Sequence, residues 1–327
     1  MSVTTTEPVL DVRGLKVEFR GLRQSLYAVN GVDLQIGRGQ SLGLVGESGC
    51  GKSTAVRAML GLIRPPGVIT GGESEFQGRD LVALTPGRRR RVLGKDIGFI
   101  TQNPFRVLNP VLSVYQQFRR MLRAHGLRLS KTESWDLASR ALLDVGLRDP
   151  ERVLSGYAHQ LSGGMAQRVC IAMSTLLEPE LVIADEPTTA LDVTVQQEIL
   201  DLLRERTSRG ATIIVTHDLS VVAQYCDRVA VMYAGVIVEQ GTTFDVFTNP
   251  THPYTKALLA SVPRRGAELY ELGGAVESLF APPTHCTFAN RCAFAREVCR
   301  REVPRLEPIG VSDHRRACFV PVEEVVA

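Results

Sequence analysis

The octapeptide GESGCGKS at residues 46–53 leaves this chain fewer possible folds than any other stretch. Its spacing is Gly-x-x-x-x-Gly-Lys-Ser, and its flanks are those the pattern needs: a short apolar strand at 41–45 before it and a helical run at 52–63 after it. Strand, glycine-rich turn and helix in that order open a βαβ unit, whose parallel strands present a ligand at their carboxyl ends. Gly46, Gly49 and Gly51 let successive backbone N–H groups point inward as an anion nest, and the helix N-terminus adds partial positive charge. In such a loop Lys52 reaches the β- and γ-phosphates of a nucleotide and the Ser53 hydroxyl ligates Mg²⁺; Glu47, Ser48, Cys50 and Thr54 complete the cradle.

The rest of the chain is organised around this loop. Residues 9–45 alternate as strands between Gly-rich turns and suit an antiparallel sheet, and DIGFI ends a further strand near Ile100. From 105 to 156 the pattern turns helical, with Leu137, Ala141, Leu142 and Val145 at i, i+4, i+5 and i+8, which reads as an inserted helical lobe. LVIA at 181–184 and TIIVT at 212–216 have the continuous apolar character of strands buried on both faces of a parallel sheet, with a helical stripe from Val193 between them. Beyond about Asn249, Pro250, Pro253, Pro263, Pro282 and Pro283 with Gly273 and Gly274 mark a separate segment. The expected division is an ATP-binding domain at 1–248, its helical subdomain at about 105–165, and an extension at 249–327.

Several short segments supply the remaining chemistry. Asp185 and Glu186 end the strand LVIAD, where an acid can hold Mg²⁺ and its neighbour can draw a proton from the attacking water. His217 follows TIIVT and suits the γ-phosphate or that water, and Gln102 follows the strand of DIGFI with an amide oxygen available to the metal or water. LSGGMAQR at 161–168 opens an amphipathic helix, with Ser162 as N-cap and Gly163 and Gly164 exposing N–H groups. A single nucleotide does not need two such helix ends from one subunit, so the second end is expected to complete the site of another subunit.

Composition narrows the class. The 327 residues are 44% hydrophobic and 22% charged, ordinary for a globular protein with a substantial core. A net charge of +3 does not argue for nucleic acid, and the run Arg88 to Arg91 reads as a solvated face. No apolar run approaches the roughly 18 residues that span a bilayer, and the N-terminus has no basic-then-apolar signal pattern, so a cytosolic chain is expected unless a partner holds it at a membrane. Of seven cysteines, Cys286, Cys292, Cys299 and Cys318 cluster near the C-terminus. Four thiolates suit Zn²⁺ or an iron–sulfur cluster, and His285 and His314 leave a mixed Cys/His zinc site open. Cys50 reads as a small residue within the loop, and Cys170 and Cys226 as core.

Taken in order, the 46–53 loop, Gln102, LSGGMAQR, LVIADEP, TALD at 189–192 and His217 resemble an ABC transporter nucleotide-binding domain over residues 9 to about 245. The resemblance implies an α/β P-loop NTPase fold: a RecA-like parallel core, an antiparallel β subdomain, a helical subdomain and a small cysteine-containing extension. It also implies two such domains facing head to tail, identical or related, with each ATP between one P-loop and the partner's LSGG and Gln167. Ala166 departs from the Arg of close relatives, a difference expected in packing. Tyr27 is the candidate adenine-stacking aromatic. NPTHPYTKALLASVP at 249–263 is similar to the HPY segment of the di- and oligopeptide and nickel importer ATPases. That group implies two membrane permease subunits, an extracytoplasmic substrate-binding protein, a peripheral place at the cytoplasmic membrane face, and a [4Fe–4S] cluster rather than zinc at the four cysteines. Nickel chelate or glutathione import, and an ABC ATPase acting outside transport, are the alternative functions. A tail that senses redox state and gates the ATPase is compatible with the first reading.

Overall fold

The computed structural model describes residues 7–188, 192–262, 273–310 and 313–326; residues 189–191 of TALD and Pro263 lie outside them. The chain forms two compact units, residues 1–84 with 214–327, and residues 85–213.

The first unit begins with β1 (Leu10–Arg20) and β2 (Ser25–Ile36), whose inward residues Leu10, Val12, Leu15, Val17, Val32 and Leu34 are buried. Their pairing slips between Val12 and Leu15, at Gly14 with φ +57°. Next come β3 (Ser41–Val45) and α1 (Lys52–Met59). α1 stops four residues short of the expected 63 because Gly61 turns left-handed, and Leu62 N–H then bonds to Arg57 O (2.7 Å) and Gly61 N–H to Ala58 O (2.8 Å). β4 (Gly67–Phe76) and the short β5 (Arg79–Asp80) complete an antiparallel sheet of order β2-β1-β4-β5.

The chain then builds the second unit. α2 (Pro86–Val92) carries Arg88 to Arg91 on its surface, as expected. β6 (Ile97–Ile100) is followed by α3 (Val114–Ala124), α4 (Lys131–Asp144), α5 (Pro150–Ser155) and α6 (Gly163–Thr175). Ser113 with Gln116 and Ser130 with Glu133 close capping boxes on α3 and α4, so each helix start is written locally. Ala141, Leu142 and Val145 are buried, and Leu137 is half-buried. The long helical stretch expected from 105 therefore resolves into three helices, the first beginning at Val114. β7 (Leu181–Asp185) pairs in parallel with β6, Ile97 opposite Leu181 and Ile100 opposite Ala184. After α7 (Val193–Arg206), β8 (Ala211–Val215) carries the chain back to the first unit.

There α8 (Leu219–Tyr225), β9 (Arg228–Tyr233), β10 (Val236–Thr242), α9 (Thr243–Thr248) and α10 (Pro253–Ala260) follow. β9 lies parallel to β3, Leu42 opposite Arg228, and turns into β10 through Ala234 and Gly235, both at positive φ. Two short strands, β11 (Glu307–Pro308) and β12 (Arg315–Arg316), extend this sheet in the order β11-β12-β10-β9-β3, and α11 (Val322–Val326) comes last. No helix among the described residues is long and apolar enough to cross a membrane.

Candidate functional site

In the first unit the loop after β3 is closed by contacts that only glycine tolerates. A Cβ on Gly46 (φ +151°) would lie 2.2 Å from Met232 O, and one on Gly51 (φ +107°) 2.4 Å from Ala28 O. Cys50 is buried, and its main-chain oxygen accepts from Gly235 N–H at 2.8 Å. Burial pushes its thiol up against the pull of Lys52, so it fills space as a neutral S–H. Lys52 is only 5% exposed, and its Nζ donates to Gly46 O (2.8 Å) and Glu47 O (3.0 Å). Ser48 and Gly49 are exposed at the loop crest, while Ser53 and Thr54 are half-buried on the first turn of α1. His217 lies two residues beyond β8 rather than on it, with its side chain exposed. Tyr27 is half-buried, and its N–H donates to Leu279 O (2.8 Å).

Glu47 is held from two directions by the C-terminal segment. Its N–H donates to Tyr254 Oη (2.9 Å), and its carboxylate accepts two bonds from Arg291, at 3.0 and 3.1 Å. Arg291 also donates through Nε to Gly273 O (2.9 Å), and its guanidinium carbon lies 5.7 Å from the centre of the Tyr233 ring. Tyr233, Tyr254 and Phe288 pack edge to face or tilted, with centroids 4.7 to 5.3 Å apart. Beneath them Glu239, fully buried, accepts from Thr251 N–H (2.7 Å), Thr251 Oγ1 (2.6 Å) and His252 N–H (3.0 Å), and pairs with His314 Nε2 at 2.7 Å. Burial opposes the charge on Glu239, yet the bonds from His314 and Thr251 outweigh it and hold the carboxyl below its usual range. His252 caps α10 by accepting from Tyr254 N–H (3.1 Å), and burial lowers its pKa to about 4. The HPY segment is thus a turn before a helix, and it also delivers Tyr254 to the loop. Sequence reading missed this role and that of Arg291, since neither residue belongs to a phosphate-binding pattern.

In the second unit Asp185 ends β7 and is buried, and Glu186 follows at φ +48°, a left-handed backbone that is strained for a non-glycine residue. Gln102, 84 positions earlier in the chain, donates from Nε2 to Glu186 Oε2 at 2.8 Å. Its nitrogen, rather than its oxygen, engages the acid. At the start of α6, Ser162 Oγ accepts from Met165 N–H (3.3 Å), and Ser162 and Gly163 are exposed, with Gly164 half-buried. Ala166 is fully buried, so this position packs rather than binds. Gln167 is 2% exposed, and its Nε2 has no hydrogen-bond partner among the described residues.

The four clustered cysteines are free thiols. Cys286 N–H donates to Cys299 O (3.0 Å), and Arg296 N–H to Cys299 Sγ (3.4 Å). Burial pushes Cys286 up to about 11, and the fields of Cys299, Cys318 and Cys292 add to it. Burial is also the main cause raising Cys292 and Cys318. Among the described residues no group of three or more His, Cys, Asp or Glu side chains is arranged to hold a metal ion, which differs from the expected four-sulfur site. The donor chemistry suits a metal or cluster, and the arrangement does not reach its geometry. Cys170 and Cys226 are core thiols, each pushed up to about 12 by burial.

Comparison with known proteins decides the family. The ABC transporter family model matches residues 29–189, and the model for the oligopeptide/dipeptide transporter C-terminal region matches 238–299. A probable peptide ABC transporter ATP-binding protein of Sinorhizobium fredii, y4tR, is 46% identical over 95% of this chain and 94% of its own length. The chain belongs to the ABC transporter family. Among other relatives of this ABC subunit, the dipeptide transport ATP-binding protein DppD of Bacillus subtilis is 45% identical over 96% of this chain and 95% of its own. The ATP-binding cassette MJ0796, solved as a dimer bound to ADP and Pi, matches 72% of the ABC subunit and 98% of its own chain, with TM-score 0.64 and 26% identity. The cbiO1 structure from Clostridium perfringens matches 74% and 92%, with TM-score 0.60 and 29% identity. The fold is thus that of the P-loop ABC ATPases, extended by the oligopeptide/dipeptide transporter C-terminal region that carries Tyr254, Arg291, Cys286, Cys292 and Cys299.

Proposed function

We propose that this ABC ATPase subunit hydrolyses ATP to drive import of dipeptides or oligopeptides across the cell membrane. The observation that carries the catalytic part is the Gln102 to Glu186 hydrogen bond of 2.8 Å, formed immediately after the buried Asp185 in a chain that also holds the 46–53 loop. The backbone N–H groups of the loop would take the phosphates, Lys52 would reach the β- and γ-phosphates, and Ser53, Gln102 and Asp185 are the residues that would hold Mg²⁺. The metal neutralises phosphate charge when bound. Glu186 accepts the proton of the attacking water, and His217 orients that water against the γ-phosphate. The peptide class rests on relatives, among them the oligopeptide transport ATP-binding protein OppD of Salmonella typhimurium, 42% identical over 97% of this chain and 95% of its own.

The exposed Ser162 and Gly163, with Gly164 and Gln167, serve the nucleotide of a second ATP-binding subunit, related or identical, in a head-to-tail dimer. Closing and opening of that dimer drives two permease subunits served by an extracytoplasmic substrate-binding protein, with the ATPase peripheral at the cytoplasmic face. In domain terms, 1–248 is the ATP-binding part with its helical subdomain near 105–165, and 249–327 is the transporter-type extension. Within it Cys286, Cys292, Cys299 and Cys318 are the ligand set for a [4Fe–4S] cluster, zinc being the competing metal; the grouping of four free thiols in this segment supports this.

The variant Glu186→Gln is expected to bind ATP, lose turnover by roughly 10²- to 10⁴-fold, and accumulate as an ATP-dependent dimer on gel filtration. Full turnover in that variant would remove Glu186 as the base. Iron, sulfide and zinc analysis of anaerobically purified protein decides the cysteine assignment: about four irons per chain are expected, and one zinc without iron overturns it.

A further inference from the structure

We propose that Arg291 is a positioning residue for the nucleotide: a strap from the cysteine segment that neutralises Glu47 and fixes the phosphate loop, so that nucleotide affinity and the state of that segment are coupled. The inference rests on the reading of 46–53 as the nucleotide loop. Glu47 is the second residue of that loop, and its carboxylate adds a negative charge to a structure whose work is to attract phosphates. Arg291 meets it with a two-pronged ion pair, the two side chains 9% and 27% exposed, so the pair is shielded from solvent and salt far more than a surface bridge. The guanidinium is also positioned by Gly273 O at 2.9 Å, Tyr233 Oη at 3.4 Å and the Tyr233 ring. Gly274, at φ +79°, takes a left-handed backbone that favours glycine beside the Arg291 stem.

Two features make this a link rather than local packing. Arg291 adjoins Cys292 and lies five residues after Cys286, so a shift of the cysteine segment moves the guanidinium. The other hold on Glu47, Tyr254 Oη, comes from α10 and packs on Tyr233 and Phe288, the latter two residues after Cys286. The loop residue is therefore gripped at its main chain by one part of the extension and at its carboxylate by the cysteine-bearing part. Removing Arg291 leaves a partly buried carboxylate uncompensated beside the phosphates, whereas removing both charges does not. Coupling of this kind is reciprocal: nucleotide binding must stiffen the cysteine segment as much as the segment favours nucleotide.

The test is Mg·ADP binding by calorimetry on the full chain in Arg291→Ala, Arg291→Lys, Glu47→Gln and the double variant Glu47→Gln/Arg291→Ala, with Lys52→Ala as control. Arg291→Ala is expected to weaken Mg·ADP about tenfold and Arg291→Lys less, because lysine keeps the charge but lacks the fork. Glu47→Gln is expected to cost about threefold or less, and the double variant to bind more tightly than Arg291→Ala alone. Hydrogen exchange of residues 286–300 is expected to slow on adding Mg·ADP to the native chain and to slow less in Arg291→Lys, a readout that a merely structural role would leave equal. Binding within twofold of native in Arg291→Ala, a double variant weaker than both single ones, or equal protection in the native and lysine forms overturns the strap. If Lys52→Ala loses binding while Arg291→Ala does not, the nucleotide loop stands and the strap falls. If Lys52→Ala binds as the native chain does, the nucleotide lies elsewhere and both fall.

Discussion

Two helices of this chain begin at glycine-rich, phosphate-type N-termini, and their surroundings differ. The loop before α1 is packed against its own unit: Gly46 and Gly51 touch main-chain oxygens, Lys52 is buried, and Glu47 is held by Tyr254 and Arg291. The start of α6 is presented outward, with Ser162 and Gly163 exposed and the Ser162 side chain capping it. The same backbone chemistry is thus fixed in one place and offered in the other. The difference accords with the proposal that the first end serves a nucleotide within the subunit and the second a nucleotide held by another subunit.

Substitutions at the two ends should separate these roles. Lys52→Ala is expected to lower the affinity of the single subunit for Mg·ADP about 100-fold, the loss of a strong charge-assisted contact, read by calorimetry. Ser162→Ala should leave that affinity within twofold, yet reduce steady-state turnover of the assembled transporter about tenfold and cost the subunit roughly 1 kcal/mol of stability through its lost cap. Equal loss of single-subunit affinity at both ends would erase the contrast.

A further effect concerns acid. His252 is held neutral by burial, with its pKa lowered to about 4 from an ordinary value of 6.5, so below 6.5 the unfolded chain takes up a proton that the folded chain refuses. Its contribution is complete above pH 6.5 and is lost as pH falls toward 4. Glu239, with its carboxyl below the usual range, acts in the same sense at lower pH, its stabilisation disappearing as the pH drops through its folded value. Thermal unfolding is therefore expected to show a loss of roughly 2 kcal/mol between pH 6.5 and 5, reduced in His252→Asn, which keeps a capping side chain. A slope unchanged in that variant would assign the acid sensitivity to other groups.

Much of this was legible in the chain because it is local. The loop at 46–53, the acids closing β7 and the cap on α6 each sit in a strand–turn–helix run whose pattern and chemistry coincide. Capping boxes at Ser113 and Ser130 were equally local, although the helical stretch was read without its breaks. Strands β9 and β10 escaped because their apolar runs meet at a two-residue turn, Ala234 and Gly235, that lacks the usual Asn or Asp. The hydrogen bond from Gln102 to Glu186 and the ion pair from Arg291 to Glu47 span 84 and 244 positions, and no periodicity encodes partners so far apart. The four thiols were legible as a group by count and spacing, but their arrangement in space depends on the packing of a loop-rich segment, which spacing does not convey.

The separation between Glu47 and its holders has a consequence for how the protein comes into being. Glu47 leaves the ribosome long before Tyr254, and Arg291 follows 244 residues after it. At about 5–20 residues per second, the phosphate loop waits on the order of tens of seconds for the groups that fix it. Through that interval the nascent chain carries a complete nucleotide motif without its restraint, so full affinity for nucleotide is acquired only near the end of synthesis. The reach of one arginine thereby places tight nucleotide binding after translation rather than during it.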